Sequence, residues 1–245
     1  MESNQPLTVL YRDADIVAID KPAGLLVHRS RIDTRATEFA VQRLRQQLNQ
    51  PVFLIHRLDR PTSGVLLFAF HKNAARALSQ QFAERRVKKT YRAIVRGHTC
   101  DQGCWEEALV EKHDRMTDHN AQPNKPAQPA TTCFETLRRW EVPFSAGKYP
   151  NSRYSEVVFR PLTGRKHQIR RHCNHFAHPI VGDTSHGDRR HNRLFRERLG
   201  VSRLLLVAEK LCFNHPVTNT RIEVKTPLGS AFENAVRGLE EFNID

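Results

Sequence analysis

The sequence predicts an α+β fold around a largely antiparallel or mixed sheet. Strand-like apolar runs outnumber helical patterns, and most follow one another without a helical crossover. Turn-forming residues stand between several of them. A hydrophobic fraction of 39% over 245 residues is enough to bury a core, which excludes global disorder. No repeat and no domain boundary stand out, so a single domain over 1–245 is the simplest organisation.

The elements follow in order. TVLYRD and DIVAIDKPAG read as short strands around an Asp-rich turn, with Pro22 and Gly24 ending the second. From Thr37 to Asn49, Phe39 or Val41, then Leu44 and Leu48, share one helical face. VLLFAF (65–70) is a continuous apolar run after a turn, the pattern of a buried strand. Asn73 is placed to cap a helix to about Arg86, with Ala75, Leu78 and Phe82 on its apolar side. TYRAIVRG is a strand, and residues 114–130, with three prolines, form an exposed loop or insertion. ATTCFETLRRW and YSEVVFRPL make a hairpin with a long tip. RLLLVAEKLCF and RIEVKTP flank a turn at Asn214-His215-Pro216, and a last helix near 230–240 aligns Phe232, Val236 and Leu239.

Charge narrows the function. The chain has 39 Lys+Arg against 26 Asp+Glu, a net of +13, which suits a polyanionic partner such as nucleic acid. The positive residues cluster in RRVKKTYR (85–92), GRKHQIRRH (164–172) and DRRHNRLFRER (188–198), which argues for phosphate contacts rather than mere solubility. Tyr91 lies inside the first cluster; a stacking platform for an unpaired base and an ordinary strand tyrosine fit it equally well. Five cysteines without a disulfide rhythm point to reduced thiols and a cytoplasmic protein. The N-terminus lacks an apolar h-region, and no run is long enough to span a membrane.

Several chemistries are absent. There is no GxxxxGK[ST], no GxGxxG after a strand and no GxSxG elbow. His172, Cys173, His175 and His178 invite a zinc reading, but Arg165, Lys166, Arg170 and Arg171 crowd the same segment and disfavour a dication. No metal is expected.

HRLDRPTSG (56–64) is the sharper signal. Pro61 biases Arg60 away from helix, and Thr-Ser-Gly supplies turn chemistry before the strand. Asp59 therefore sits on a tight loop against a rigid element, flanked by Arg57 and Arg60. For an arbitrary aspartate, turn capping or a structural ion pair is the favoured role.

HRLDRPTSG does not stand alone. DKPAGLLVH (20–28), KKTYRAIV (88–95), PLTGRKHQIRRH (161–172), HPIVGD (178–183) and RLLLVAEKL (203–211) accompany it in order. Together these closely resemble the RluA-type RNA pseudouridine synthases over about residues 7–227. The resemblance implies a pseudouridine synthase fold: a central mixed, mainly antiparallel sheet flanked by helices, with a catalytic cleft. It implies Asp59 as the catalytic aspartate, Tyr91 as the tyrosine packed on the target uracil, and Arg170 as the arginine paired with the catalytic aspartate. Arg57 matches the arginine that in some members fills the space of the flipped base. Arg165, Lys166, His167, Arg171, Arg189 and Arg190 are the expected RNA contacts. The family needs no metal or organic cofactor, and neither a membrane nor an obligate protein partner is implied. Val207 and Asp20 depart from residues common in the family, at positions outside the carried-over set. No appended S4-type RNA-binding domain is expected.

Within the family, LLVHRS (25–30) and DTSHGDRRHNR (183–193) resemble the subgroup acting on uridine 65 of tRNA, at the foot of the T stem. Members acting on large-subunit ribosomal RNA share the catalytic motifs and are the alternative. A non-catalytic RNA-binding module would explain the charge but not Asp59, Tyr91 and Arg170 together. A metal-free ribonuclease would use histidine and aspartate for acid–base work and would cut the strand.

Overall fold

The computed structural model describes residues 5–28, 38–110 and 126–245. In chain order the elements are β1 (Val9–Arg12), β2 (Ile16–Lys21), α1 (Ala40–Leu48), β3 (Phe53–Leu54), β4 (Ser63–Ala69) and α2 (Lys72–Ala83). There follow β5 (Lys88–Arg96), β6 (Gln102–Glu106), β7 (Thr131–Val142), β8 (Ser152–Pro161), α3 (Gln168–His175) and α4 (Arg189–Leu199). The chain ends with β9 (Leu206–Asn214), β10 (Arg221–Lys225) and α5 (Ser230–Leu239). No described helix is long and apolar enough to cross a membrane.

The described residues form two compact units, each assembled from separate stretches of chain. One takes the described residues up to Lys89, those of Val110–Gln128, and Lys210–Thr226. The other takes Thr90–Leu109, Pro129–Glu209 and Pro227–Asp245.

In the first unit β2 runs antiparallel to β1 and to β4, from Ile16 opposite Ala69 to Lys21 opposite Gly64. All residues of β4 are buried, as a continuous apolar run requires of a strand covered on both faces. Ile16, Ala18, Val65 and Leu67 pack with Leu78 of α2 and with Leu211, Phe213 and Val224. The helix expected from Asn73 starts earlier. Its cap is His71, whose Nδ1 accepts the Ala74 N–H at 3.3 Å, and the left-handed backbone of Arg85 (φ 58°) lies just beyond its end. α1 ends on Asn49, in the left-handed conformation that asparagine tolerates, with φ 50°. Thr37 and residues 114–125 of the expected loop lie outside the described residues.

In the second unit β8 pairs antiparallel with β5 and β7, and β7 with β6. The expected hairpin is present, with Val142 opposite Ser152 at its tip. Alternation along β5 serves both faces of the sheet. Ala93 and Val95 pack with Ile169 and Cys173 of α3, whereas Ile94 packs with Phe195 of α4 and with Phe232, Ala235 and Leu239 of α5. Helices thus flank this sheet on both sides.

One sequence expectation fails here. Cys104 and Cys133 are not free thiols but a disulfide, closing a separation of 29 residues. They stand directly opposite each other on β6 and β7, Cα atoms 3.9 Å apart. Strand register brings them together, and register is invisible in cysteine spacing. Cys100, Cys173 and Cys212 are free.

Candidate active site

Asp59 lies in the irregular segment between β3 and β4, half-buried, between buried Leu58 and buried Thr62. Its carbonyl accepts the Thr62 N–H at 3.1 Å, closing the chain over Arg60 and Pro61. The next residue is clamped from outside. The Arg60 carbonyl accepts from the Gly24 N–H at 2.8 Å, and Arg60 Nε donates back to the Gly24 carbonyl at 3.1 Å. Lys21 reinforces the clamp from the end of β2. Its side chain is fully buried, and its ammonium donates to the carbonyls of Pro22 (2.8 Å), Leu25 (2.9 Å) and Arg60 (3.2 Å). A buried ammonium is costly unless hydrogen-bonded, and these carbonyls supply the bonds. Gly24 takes φ 86°, which a side chain would resist. The DKPAG and HRLDRPTSG motifs are therefore one structure, in which the main chain beside Asp59 is fixed from both sides.

His56 opens the second motif and serves the scaffold. Its Nε2 accepts the Leu67 N–H at 3.1 Å, and its ring stacks on Phe82 at 4.7 Å. The residue keeps some exposed surface, but burial of the ring, helped by the positive charge of Lys89, pushes its pKa down to about 3. The imidazole is neutral near pH 7, with its proton on Nδ1. Lys89 is itself lowered to about 8, by burial and then by the charge of Arg85. Arg57 is exposed, and after burial its charge is the second cause lowering His28.

The other expected residues belong to the second unit. Tyr91, half-buried on β5, stands opposite Phe159 of β8 and packs against the cluster of Trp105, Phe134 and Phe159. Arg170 on α3 is buried and pairs in bidentate fashion with buried Asp183, Nε to Oδ2 at 2.7 Å and Nη2 to Oδ1 at 2.9 Å. Asp183 Oδ1 also accepts the N–H groups of Ser185 and His186, both at 2.9 Å. Burial alone would raise the Asp183 carboxyl; the Arg170 pair and those two N–H groups outweigh it and hold the pKa below the usual carboxylate range. Nothing in HPIVGD as a sequence marks a task for Asp183, because a fork onto Arg170 requires the fold.

The remaining basic residues gather at the start of α3 and the start of α4. Buried Gln168 fixes the approach to α3, its Oε1 accepting from Thr163 Oγ1 (2.7 Å) and from the Arg165 N–H (3.0 Å). Arg165 is half-buried and Lys166 exposed. His167 caps the helix with a left-handed φ of 55° and meets His186 through its Nδ1 at 3.0 Å. Arg171 is half-buried, and burial lowers its pKa. Arg189 and Arg190 are exposed in the first turn of α4.

The histidine-rich segment is dispersed rather than convergent. His172 Nε2 meets the Glu107 carbonyl at 3.1 Å, His178 Nδ1 meets the Arg96 carbonyl at 3.0 Å, and His175 lies 3.9 Å from the Glu107 carboxylate. Among the described residues, the group with metal-ligand spacing is Asp13, Asp15 and His215. There His215 Nδ1 accepts the N–H groups of Val217 (3.3 Å) and Thr218 (3.1 Å), which places the ring proton on Nε2. Nε2 lies 3.0 Å from the Asp13 carboxylate without the geometry of a hydrogen bond, and with Nδ1 committed to the two N–H groups a protonated Nε2 does not ligate a metal.

Comparison with known proteins gives a consistent result. Residues 15–175 match the model of the family described as RNA pseudouridylate synthase. The chain is 48% identical to tRNA pseudouridine synthase C of Vibrio parahaemolyticus over 96% of its length and 95% of that relative. It is 49% identical to the protein of the same name from Haemophilus ducreyi, over 93% of each chain. Among solved structures, human RNA pseudouridylate synthase domain containing 4 superposes with a TM-score of 0.73 at 25% identity, covering 95% of this chain and 93% of the other. Its human counterpart named domain containing 1 gives 0.68 at 30% identity, covering 93% and 86%.

Proposed function

Because the chain belongs to the RNA pseudouridylate synthase family, we propose that it isomerises a uridine of tRNA to pseudouridine, at position 65, with no metal or organic cofactor. The observation that carries the choice of tRNA is the near-full-length similarity to relatives named tRNA pseudouridine synthase C. On this reading the whole of 1–245 serves one catalytic activity, in the cytoplasm.

Asp59 is the reacting carboxylate. Hydrolysis of a glycosidic bond usually takes two carboxylates, because water must be activated as well. Isomerisation adds no water. The N1–C1′ bond breaks, the uracil turns while held, and a C5–C1′ bond forms; the C5 proton leaves and N1 gains one. A single carboxylate suffices to open this sequence, either by attacking the sugar carbon or by taking the C2′ proton. Tyr91 holds the loose uracil by its ring face, and Arg170, matching the arginine that the family pairs with its catalytic aspartate, orients the reacting carboxylate. Arg57 fills the gap left by the flipped base. The clamp of Lys21 and Gly24 on Arg60 supports the assignment, since a reacting carboxylate needs a fixed main chain.

The departing C5 proton supplies the test. Transcripts labelled with tritium at uracil C5 should release tritium to water on incubation with the protein, with RNA length unchanged. A cytidine at position 65 should abolish the release. Release from ribosomal RNA alone would move the substrate, and shortened RNA would replace the isomerase by a nuclease.

A further inference from the structure

The β7–β8 hairpin tip runs beside α4. The Arg198 guanidinium lies over the Phe144 ring at 4.9 Å, while Arg190 lies against Gly147, its Nη1 3.1 Å from where a Cβ there would stand. Glycine at this point lets an arginine rest on the tip. Ser145 closes the turn, its hydroxyl donating to the Gly147 carbonyl at 2.9 Å. Beyond that turn Lys148 and Tyr149 are exposed, Tyr149 at 70%, the largest value for a big hydrophobic side chain among the described residues.

The outward side of α4 is an arginine stripe. Arg189, Arg193 and Arg196 recur at i, i+4 and i+7 and are exposed, while Phe195 faces the core. Local electrostatics oppose this arrangement. Arg189 and Arg190 sit in the first turn, at the positive end of the helix dipole, with no acidic residue there. Arg189 and Arg193 are like charges one turn apart. The capping Asp188 is already engaged by Arg96 at 2.6 Å, and Glu197 reaches Arg193 only at 3.9 Å. In the last turn Arg196 and Arg198 suit the dipole, but in the first turn a helix that served packing alone would carry the opposite bias.

We propose that this surface is a second RNA contact, in which the α4 arginines take phosphates of one strand and Tyr149 stacks on an unpaired base beside them. It is remote from the uracil-binding tyrosine. β8 carries the chain from Ser152 at the tip to Phe159 opposite Tyr91, a run of about 23 Å at the usual strand rise. The contact therefore reads a part of the substrate distant from the reacting uridine. It rests on the reading of tRNA as substrate.

Binding of an unmodified tRNA transcript, followed by anisotropy across about 50 to 200 mM salt, tests it. Replacing Arg189, Arg193 and Arg196 together by Gln should lower the slope of log affinity against log salt by about three. Tyr149→Ala should weaken binding and raise KM about tenfold, while Tyr149→Phe, which keeps the ring, should stay within about twofold of the parent. An unchanged slope in the triple variant overturns the proposal. So does a fall in slope of about one from the single change Arg76→Gln on α2, the same loss per charge, which would make the effect one of general charge. Pseudouridine formed with slope and KM unchanged would sink the contact and leave the enzyme reading standing; the expected binding losses in a protein that forms no pseudouridine would do the reverse.

Discussion

The Arg170–Asp183 fork makes the strongest quantitative prediction. Asp183→Asn preserves shape. The amide oxygen at Oδ1 can still accept from Ser185 and His186, so the loop keeps its main-chain bonds. What is lost is the charge and the acceptor for Arg170 Nε, now faced by an amide N–H at a site where the carboxylate stood 2.7 Å away. Removing one partner from a buried pair costs about 3–5 kcal/mol, because the other charge stays buried. Against a total stability of about 5–15 kcal/mol that is a large fraction. With a urea m-value of about 3 kcal/mol/M for a chain of this size, the unfolding midpoint should fall by roughly 1–2 M. The acid limb should change too. The folded Asp183 pKa is depressed, so its contribution is present above the ordinary carboxylate range and lost as pH falls through the folded value. Asp183→Asn should flatten that limb. Removing the arginine as well, in Arg170→Met with Asp183→Asn, should recover part of the midpoint but no pseudouridine formation, since it takes away the buried charge while the amide oxygen still serves Ser185 and His186. A single variant within about 0.3 M of the parent, or a double variant no more stable than the single, would refute the reasoning.

Two further outcomes follow from the scaffold around Asp59. The His56 ring proton signals should not titrate between about pH 5 and 8, because the pKa is pushed down to about 3; a transition near the ordinary 6.5 would contradict its role as a neutral acceptor. By the same linkage, stability held through His56 is complete above about 6.5 and lost as pH falls toward 3. Lys21→Met should cost about 2–3 kcal/mol and lower kcat at least about tenfold, because the carbonyls it served lose their donor and the main chain beside Asp59 loosens. Loss of stability with kcat intact would mean that the clamp holds the fold but not the reacting carboxylate.

Where local pattern and burial agree, the sequence was easy to read. β4 is legible because a strand covered on both faces must be apolar throughout, and α5 because Phe232 and Leu239 recur on one helical face. α4 was harder: arginines surround its buried Phe195, and they hide the apolar side. Its real signals were the capping Asp188 and the terminal Gly200, with φ 65°. β6 offers little alternation of its own and is a strand because β7 pairs with it, and the same pairing joins Cys104 to Cys133. The catalytic loop was visible in its motif, but the reason for its rigidity was not. Lys21 lies 39 residues before Arg60, and only the fold brings its ammonium to that carbonyl. Asp183 was missed for a like reason, since a charge pair across 13 residues has no local periodicity.

The most direct test of the central claim is carbodiimide mapping of pseudouridine on unmodified tRNA and ribosomal RNA, with the parent protein and with Asp59→Ala. The account predicts one new signal at tRNA position 65 with the parent and none with Asp59→Ala, although the variant still binds tRNA within about tenfold of the parent. The same signal from both proteins, or from neither while tRNA binding is intact, would contradict it.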